Sequence, residues 1–212
     1  LTLEERTREY VPSYAGALDS LYGLDLTCAL IAMTGPNYQF GLAGDRDLCA
    51  DLSRRFEAPV HTASLAIYDA LLSMGITRIT LLSPYPDWLT DETVDYWTGA
   101  GMNVVAVEHL LGEGEQFRAY ETHTDEVVRG LRAFEPQSGS AVLLTGTGLV
   151  SVASIYQVSY GCRSPILSSN LCGAWWILHQ CGQSPGSEVY QEIAPDHMPG
   201  AGEPCAPWCA VH

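Results

Sequence analysis

The sequence contains no lysine: all 10 of its basic residues are arginines, against 25 acidic residues, and the net charge is −15. Without lysine the chain cannot form a Schiff base with a carbonyl substrate or with pyridoxal phosphate, and it cannot supply the lysine of a P-loop. The shortage of positive charge also argues against nucleic acid and anionic membranes as partners, because both require clustered basic residues.

Long apolar runs and paired cysteine motifs are missing as well. No apolar stretch reaches the roughly 18 residues of a membrane span, and no charged and then apolar leader opens the chain. The 7 cysteines are an odd number and lie without paired spacing, which is typical of reduced thiols. We therefore expect a cytoplasmic protein that has no membrane partner.

Short β-branched runs alternate with amphipathic stretches along most of the chain. Helical periodicity predicts helices over 63–74 and 121–134, with Gly75 placed to end the first of them. Strand–helix alternation predicts an α/β fold with a parallel sheet. The predicted strands are nearly continuous in apolar residues, as strands buried on both faces are: 26–33, 59–61, 78–83, 103–108, 141–145 and 165–168.

Two segments share one pattern, an apolar run that leads into a Thr-Gly turn. Residues 29–36 read ALIAMTGP and residues 141–149 read AVLLTGTGL, so that Thr34 corresponds to Thr147. Glycine permits a tight turn, and the start of a following helix presents N–H groups that bind carboxylates and oxyanions. The repetition indicates two similar units that face each other. The alternative is that Thr-Gly is simply a common strand-to-helix turn.

Four segments in order resemble the aspartate/glutamate racemase superfamily, in the branch of the maleate cis–trans isomerases and arylmalonate decarboxylases. They are IAMTGPNYQFG at 31–41, HTASLAIYDALLSMGITRITLLSPY at 61–85, AVLLTGTGLVS at 141–151 and SPILSSNLCGAWW at 164–176. The resemblance implies two Rossmann-like α/β lobes with parallel sheets and an active-site cleft between them. It also implies chemistry on a small carboxylic acid without a cofactor or a metal.

The implied first lobe comprises residues 1–79 and 166–212, and the implied second lobe comprises residues 80–165. Relatives begin with a strand whose turn lines the cleft, whereas this chain begins in the first helix, so the first lobe is expected to lack that strand. Residues 182–212 are rich in proline and glycine and are predicted to be an irregular tail. The tail carries metal-ligand side chains without the paired spacing of a zinc site: His197, Cys205, Cys209 and His212.

The two catalytic cysteines of the family correspond here to Met33 and Gly146. Neither residue can transfer a proton or attack a substrate, so two-cysteine racemisation is not expected. Cys172 could replace the missing thiols only if its side chain turned toward the cleft, where helix N-terminal amides would raise its reactivity. The alternative is a buried free cysteine.

The resemblance preserves a set of hydroxyls and amides that bind a carboxylate. It implies catalytic roles for Thr34, Tyr85 and Thr147, with the tyrosine hydroxyl as an acid, a base or an orienting group. For Ser168 and Ser169, plain helix capping is the alternative to ligand contact. Substrate contacts are expected from these two serines and from Met33, Gly35, Asn37, Ser83, Gly146 and Gly148.

Other side chains near these turns can carry acid–base chemistry. Asp87 is close to Tyr85 and could serve as a base, but an exposed turn aspartate is the favoured interpretation. His61 lies at a strand end and is predicted to be a core histidine. No arginine lies in either Thr-Gly turn, which predicts a site made of neutral hydrogen-bond donors.

These residues lead to two functional hypotheses. The first is a cofactor-independent isomerase or lyase that stabilises a carbanion, an enolate or an oxyanion on a small carboxylate-containing substrate. The second is a non-catalytic carboxylate-binding protein derived from the same family, which the replaced cysteines favour. The adjacent Trp175 and Trp176 allow one helix face to form a subunit contact, so the chain is expected to be a monomer or a homodimer.

Overall fold

Six short strands supply the framework of the chain. The computed structural model describes residues 2–112, 117–159 and 164–183, and the six strands lie within these ranges. The strands are β1 (Ala29–Ile31), β2 (Val60–Thr62), β3 (Arg78–Ser83), β4 (Asn103–His109), β5 (Ala141–Leu144) and β6 (Ile166–Ser168). Each of the six predicted runs overlaps one of them, so the predicted strands are confirmed.

All strand pairs are parallel. β1 pairs with β2 in a two-stranded sheet, and the other four strands form a sheet in the order β4-β3-β5-β6. Hydrogen bonding therefore joins β6 to β5, while the last helix also packs against β1. The division into two lobes at residues 79/80 and 165/166 stays a prediction.

Helices connect the strands as expected for an α/β fold. Thr62 caps the helix that follows β2 by accepting a hydrogen bond from the Leu65 amide, and Gly75 follows its C-cap as predicted. Within the described ranges the helices are α1 (Leu3–Asp19), α2 (Gly35–Tyr38), α3 (Gly41–Phe56), α4 (Ala63–Ser73), α5 (Asp87–Gly99), α6 (Thr124–Arg132), α7 (Ser151–Ser159) and α8 (Ser169–Gln180).

The four-stranded sheet is buried on both faces. Leu81 and Leu143 point into a core shared with α4, α5 and α8, where Trp97 is fully buried. The neighbouring Leu82 and Leu144 point to the opposite face, into a core shared with α6 and α7. Alternation of side chains along each strand produces these two cores, and it explains why the strands read as continuous apolar runs.

Candidate active site

A cavity of about 1110 Å³ opens at the carboxyl ends of β3, β4 and β5. This is the edge at which open parallel sheets bind ligands, because the turns that follow the strands converge there. One face of α1 closes the side of the cavity with Leu3, Arg6, Thr7 and Tyr10. Eight of the predicted site residues line its wall: Met33, Thr34, Gly35, Ser83, Tyr85, Gly146, Thr147 and Gly148.

The two Thr-Gly turns meet at the hydroxyl of Tyr85. The oxygen atoms of Thr34 and Tyr85 are 2.8 Å apart, in a buried hydrogen bond in which either atom can donate. From the second turn, a Cβ atom at Gly146 would lie 3.6 Å from the same phenol oxygen. The sequence repeat therefore brings both turns to one point of the cavity.

Tyr85 is held in place from several sides. Its amide donates to Ser83 Oγ at 3.2 Å, and its ring packs edge-on against Phe117 with centroids 5.7 Å apart. Burial raises the pKa of Tyr85 to about 12, against the opposing effect of the hydrogen bond to Thr34. The phenol is therefore protonated at neutral pH and is suited to donate a hydrogen bond.

The second turn requires glycine at two positions. Gly146 has φ +97°, which disfavours any residue with a Cβ atom, and a Cβ there would also lie 3.1 Å from Pro84 Cγ. A Cβ atom at Gly148 would lie 2.8 Å from the Cβ atom of Ala119. The amide of the next residue, Tyr120, donates a hydrogen bond to the Gly148 carbonyl at 2.9 Å. Thr147 lies between them in the cavity wall.

A profile of arylmalonate decarboxylase sequences matches residues 26–193. The chain belongs to the arylmalonate decarboxylase family. This membership confirms the predicted resemblance to the branch of maleate isomerases and arylmalonate decarboxylases. The arylmalonate decarboxylase of Bordetella bronchiseptica is 24% identical over 157 residues, which cover 73% of this chain. The chain spans 65% of the length of that relative.

Solved structures of two kinds of enzyme share the fold. A liganded double mutant of arylmalonate decarboxylase superposes with a TM-score of 0.76 at 20% identity, over 86% of this chain and 77% of that one. A Pseudomonas putida maleate isomerase mutant with maleate gives a TM-score of 0.76 at 16% identity, over 86% of this chain and 75% of that one. A Nocardia farcinica maleate cis–trans isomerase mutant with a covalently bound succinylcysteine intermediate gives a TM-score of 0.75 at 14% identity, over 86% of this chain and 76% of that one. They confirm the predicted α/β fold with parallel sheets.

Three predicted site residues of this arylmalonate decarboxylase family member do not line the cavity. Asn37 is buried, accepts from Tyr14 OH at 3.1 Å and donates to the Met33 carbonyl at 3.2 Å. Ser168 caps α8 by accepting from the Leu171 amide at 3.2 Å. Ser169 is buried, and its hydroxyl has no hydrogen-bond partner among the described residues.

Ser83 lines the cavity, but its hydroxyl is occupied. It bonds to Thr90 Oγ1 at 2.7 Å and accepts from the Tyr85 amide. In this family member Ser83 therefore stabilises the turn that presents Tyr85, and its hydroxyl is not directed to a ligand.

The described part of the chain offers no thiol at the cavity. Cys172 is fully buried in the core, where burial raises its pKa well above the ordinary value despite a hydrogen bond from the Ser168 backbone. The effect of desolvation on this pKa thus outweighs that of the helix N-terminus. Cys172 also does not line the cavity, so the alternative of a catalytic Cys172 is wrong. Cys28, Cys49 and Cys181 do not line the cavity either.

Several charged residues of the wall were not predicted from the sequence. Arg6 of α1 and Arg118 line the cavity, so its wall is not made of neutral donors alone; Arg118 pairs with Glu121 at 3.4 Å. The Nε2 atom of His109 lies 3.8 Å from a carboxylate oxygen of Asp87. The signal for His109 was its place one residue beyond the predicted strand 103–108, at the edge where ligands bind.

The remaining predictions concern residues away from this cavity. His61 stacks on Trp176 with ring centroids 4.8 Å apart and bonds to Asp69, as a half-buried structural histidine does. In the described ranges, no three His, Cys, Asp or Glu side chains converge as they would around a metal ion. Across the same part of the chain, no helix is both long and apolar enough to cross a bilayer. The predicted tail ligands, from His197 to His212, lie outside the described residues.

Proposed function

We propose that the chain binds a small carboxylic acid in this cavity and acts on it as a cofactor-independent isomerase or lyase. The observation that carries the proposal is the convergence of both Thr-Gly turns on the Tyr85 hydroxyl, which bonds to Thr34 and faces Gly146. A carboxylate at this junction can accept hydrogen bonds from Thr34 or Tyr85 on one side and from Thr147 on the other.

The proposed chemistry is stabilisation of negative charge. When a proton or carbon dioxide leaves the carbon next to a carboxylate, the remaining electron pair spreads onto the carboxylate oxygens as an enediolate. A neutral phenol whose pKa is raised to about 12 donates to such an oxygen without losing its own proton. Removal of one preorganised donor of this kind typically costs 10²- to 10³-fold in rate.

The substrate class follows from the wall and from the relatives. Arg6 and Arg118 add positive charge to the wall of a chain whose net charge is −15, which favours a substrate with a second anionic or strongly polar group. The names of the relatives, arylmalonate decarboxylase and maleate isomerase, support a dicarboxylate. We propose phenylmalonate and maleate as first substrates to test.

One observation favours a second candidate function, a carboxylate-binding protein without catalysis. The positions that the resemblance assigns to the family's cysteines hold Met33 and Gly146, and the described wall contains no other thiol. The fold and the donors would then remain while the usual acid–base groups are gone.

Calorimetry and NMR in D₂O separate the two functions. Phenylmalonate, maleate and phenylacetate are titrated into the protein, and decarboxylation, isomerisation and exchange of carbon-bound hydrogen are then followed. The enzymatic function predicts saturable binding with turnover or exchange of at least one compound, both weakened at least 10-fold in Tyr85→Phe. Binding without any reaction supports the binding protein, and absence of binding contradicts both candidates. Tyr22→Phe, at a strongly exposed tyrosine, is the matched control.

A further inference from the structure

The donors at the Thr34–Tyr85 junction do not include a group that gains and loses a proton near neutral pH. Threonine hydroxyls do not ionise in this range, and the pKa of Tyr85 is about 12. The described cavity wall holds no cysteine. If a side chain makes or breaks carbon–hydrogen bonds in this cavity, it must be one outside this junction.

His109 is placed to be that side chain. It ends β4, in register with Ser83 at the end of β3, and the next amide, of Leu110, donates to the Ser83 carbonyl at 2.8 Å. Adjacent strands lie about 4.8 Å apart, so His109 begins one strand spacing from the turn that presents Tyr85. Both residues line the same cavity.

Asp87 gives this imidazole a carboxylate partner. It occupies the first turn of α5, two residues after Tyr85, and its carboxylate lies 3.8 Å from His109 Nε2. The Asp87 side chain is 94% exposed, as the sequence favoured, and 3.8 Å is an ion-pair distance longer than a hydrogen bond. When this exposed carboxylate closes to hydrogen-bond distance, it holds a hydrogen on Nε2 and leaves Nδ1 for a ligand. The imidazole is half exposed, at 52% of its surface, so it can reach the cavity and exchange protons with water.

Other ionisable groups of the described wall are less suited to proton transfer. Glu121 is paired with Arg118, and Arg6 and Arg118 stay protonated throughout the neutral range. Tyr10 and Tyr120 are phenols at the exposed margin of the cavity. Together with Asp87, these groups line the same cavity as His109, from α1, from the 117–121 segment and from α5.

We propose that His109, oriented by Asp87, transfers the proton at the carbon next to the bound carboxylate. This inference rests on the proposed function. The neutral imidazole takes the proton, and the C–H electron pair stays on the substrate as an enediolate held by Tyr85 and the Thr-Gly turns. The imidazolium then returns a proton to the same carbon, so that no other reactant is consumed. His109 is thus a catalytic residue and Asp87 a positioning residue.

Kinetics in D₂O test the catalytic role. We expect His109→Asn to slow hydrogen exchange into phenylacetate at least 100-fold while its affinity for phenylmalonate changes less than 3-fold. Asp87→Asn is expected to lower kcat for exchange about 10-fold with little change in KM, because the variant loses the orienting carboxylate but keeps the binding donors. His179→Asn, at an exposed position in the last turn of α8, is the matched control.

A measurement without turnover tests the placement. The NMR signal of the His109 Cε1–H is followed at fixed pH as phenylmalonate is added, and we expect it to shift with the same saturation as the binding measured by calorimetry. An unchanged His109 signal at saturating ligand overturns the inference, as does His109→Asn with wild-type exchange. Binding by the wild-type protein without exchange of any probe also overturns it and leaves carboxylate binding intact. If phenylmalonate, maleate and phenylacetate do not bind, the proposed function itself fails.

Discussion

The hydroxyl oxygens of Thr34 and Tyr85 lie 2.8 Å apart in the buried wall of the cavity, although 51 residues separate them in the chain. The bond links the turn after β1 to the turn after β3, and thereby one parallel sheet to the other. Since each hydroxyl can donate to the other or to a ligand, the pair can reorient when an anion binds without losing a partner.

A double-mutant cycle tests this coupling. Thr34→Val and Tyr85→Phe each remove one hydroxyl. Each is expected to weaken phenylmalonate binding about 10-fold, because a hydrogen bond to a charged group contributes about 1.5–3 kcal/mol and the lower value corresponds to this change. The double variant should lose clearly less than 100-fold, because each single change already disrupts the shared bond. Calorimetry measures the affinities. Fully additive losses would show that the two hydroxyls act independently.

A side chain at Gly146 should destabilise the fold of this chain. Gly146→Ala is expected to destabilise the fold by about 2 kcal/mol, because φ +97° disfavours an L residue and the new methyl group would press on Pro84. Gly139→Ala is the matched control, since Gly139 also has positive φ but nothing within 4 Å of a Cβ atom. Urea unfolding gives both values. Equal destabilisation of the two variants would argue against the steric part of this account.

Cys172 and Cys181 should differ sharply in reactivity. Cys172 is 0% exposed and its pKa is raised by burial, whereas Cys181 is exposed after the end of α8. We expect iodoacetamide to label Cys181 in the native protein and Cys172 at least 100-fold more slowly, until urea unfolds the chain. Peptide mass spectrometry resolves the two sites. Rapid native labelling of Cys172 would return it to consideration as a nucleophile.

Stability should fall as pH rises through about 6 because of Asp45. This carboxyl is fully buried; one oxygen accepts from Thr62 at 2.8 Å and from Tyr96 at 3.0 Å, and the other has no partner among the described residues. Burial raises its pKa from 3.8 to about 6. The folded state thus keeps a proton that the unfolded chain releases above about pH 4, and this advantage is lost as pH passes 6.

The loss corresponds to up to about 3 kcal/mol of unfolding free energy between pH 4 and 7. Urea unfolding of the wild-type protein and of Asp45→Asn across this range measures it. The variant should lack this part of the pH dependence, whereas Asp47→Asn, on the exposed part of the same helix, should retain it. Identical pH profiles for wild type and Asp45→Asn would contradict the assignment.

The strands were predictable where burial on both faces makes them uniformly apolar. β3 was predicted to the residue, since every position from Ile79 to Ser83 is buried. β1 was predicted over 26–33 but has only three residues, because its ladder cannot extend beyond the three pairs that β2 offers. The length of β1 therefore depends on its pairing with β2. Val60 lies 31 residues after its partner Ala29, so the sequence around β1 does not show where the pairing ends.

No range was predicted for α3, α5 or α7, and polar residues on their buried faces explain why. α5 buries Thr90 and Thr93 beside Tyr96 and Trp97, and α7 buries serines beside Ile155. In α3 the first buried position is Asp45. These hydroxyls and this carboxyl are accommodated by hydrogen bonds inside the fold, so the apolar periodicity that marks a helix is weakened in the sequence.

The α/β class, the succession of strands along the chain and the two Thr-Gly turns could be predicted without a structure, because each depends on local patterning and on glycine at fixed positions. Which side chains share the cavity depends on the packing of the whole chain, which brings Arg6 and His109 into the wall, leaves Ser168 as a helix cap and buries Cys172. A parallel sheet gathers the carboxyl ends of strands that lie far apart in sequence, and whether a polar side chain meets a ligand or a neighbouring backbone group depends on packing that no single segment encodes.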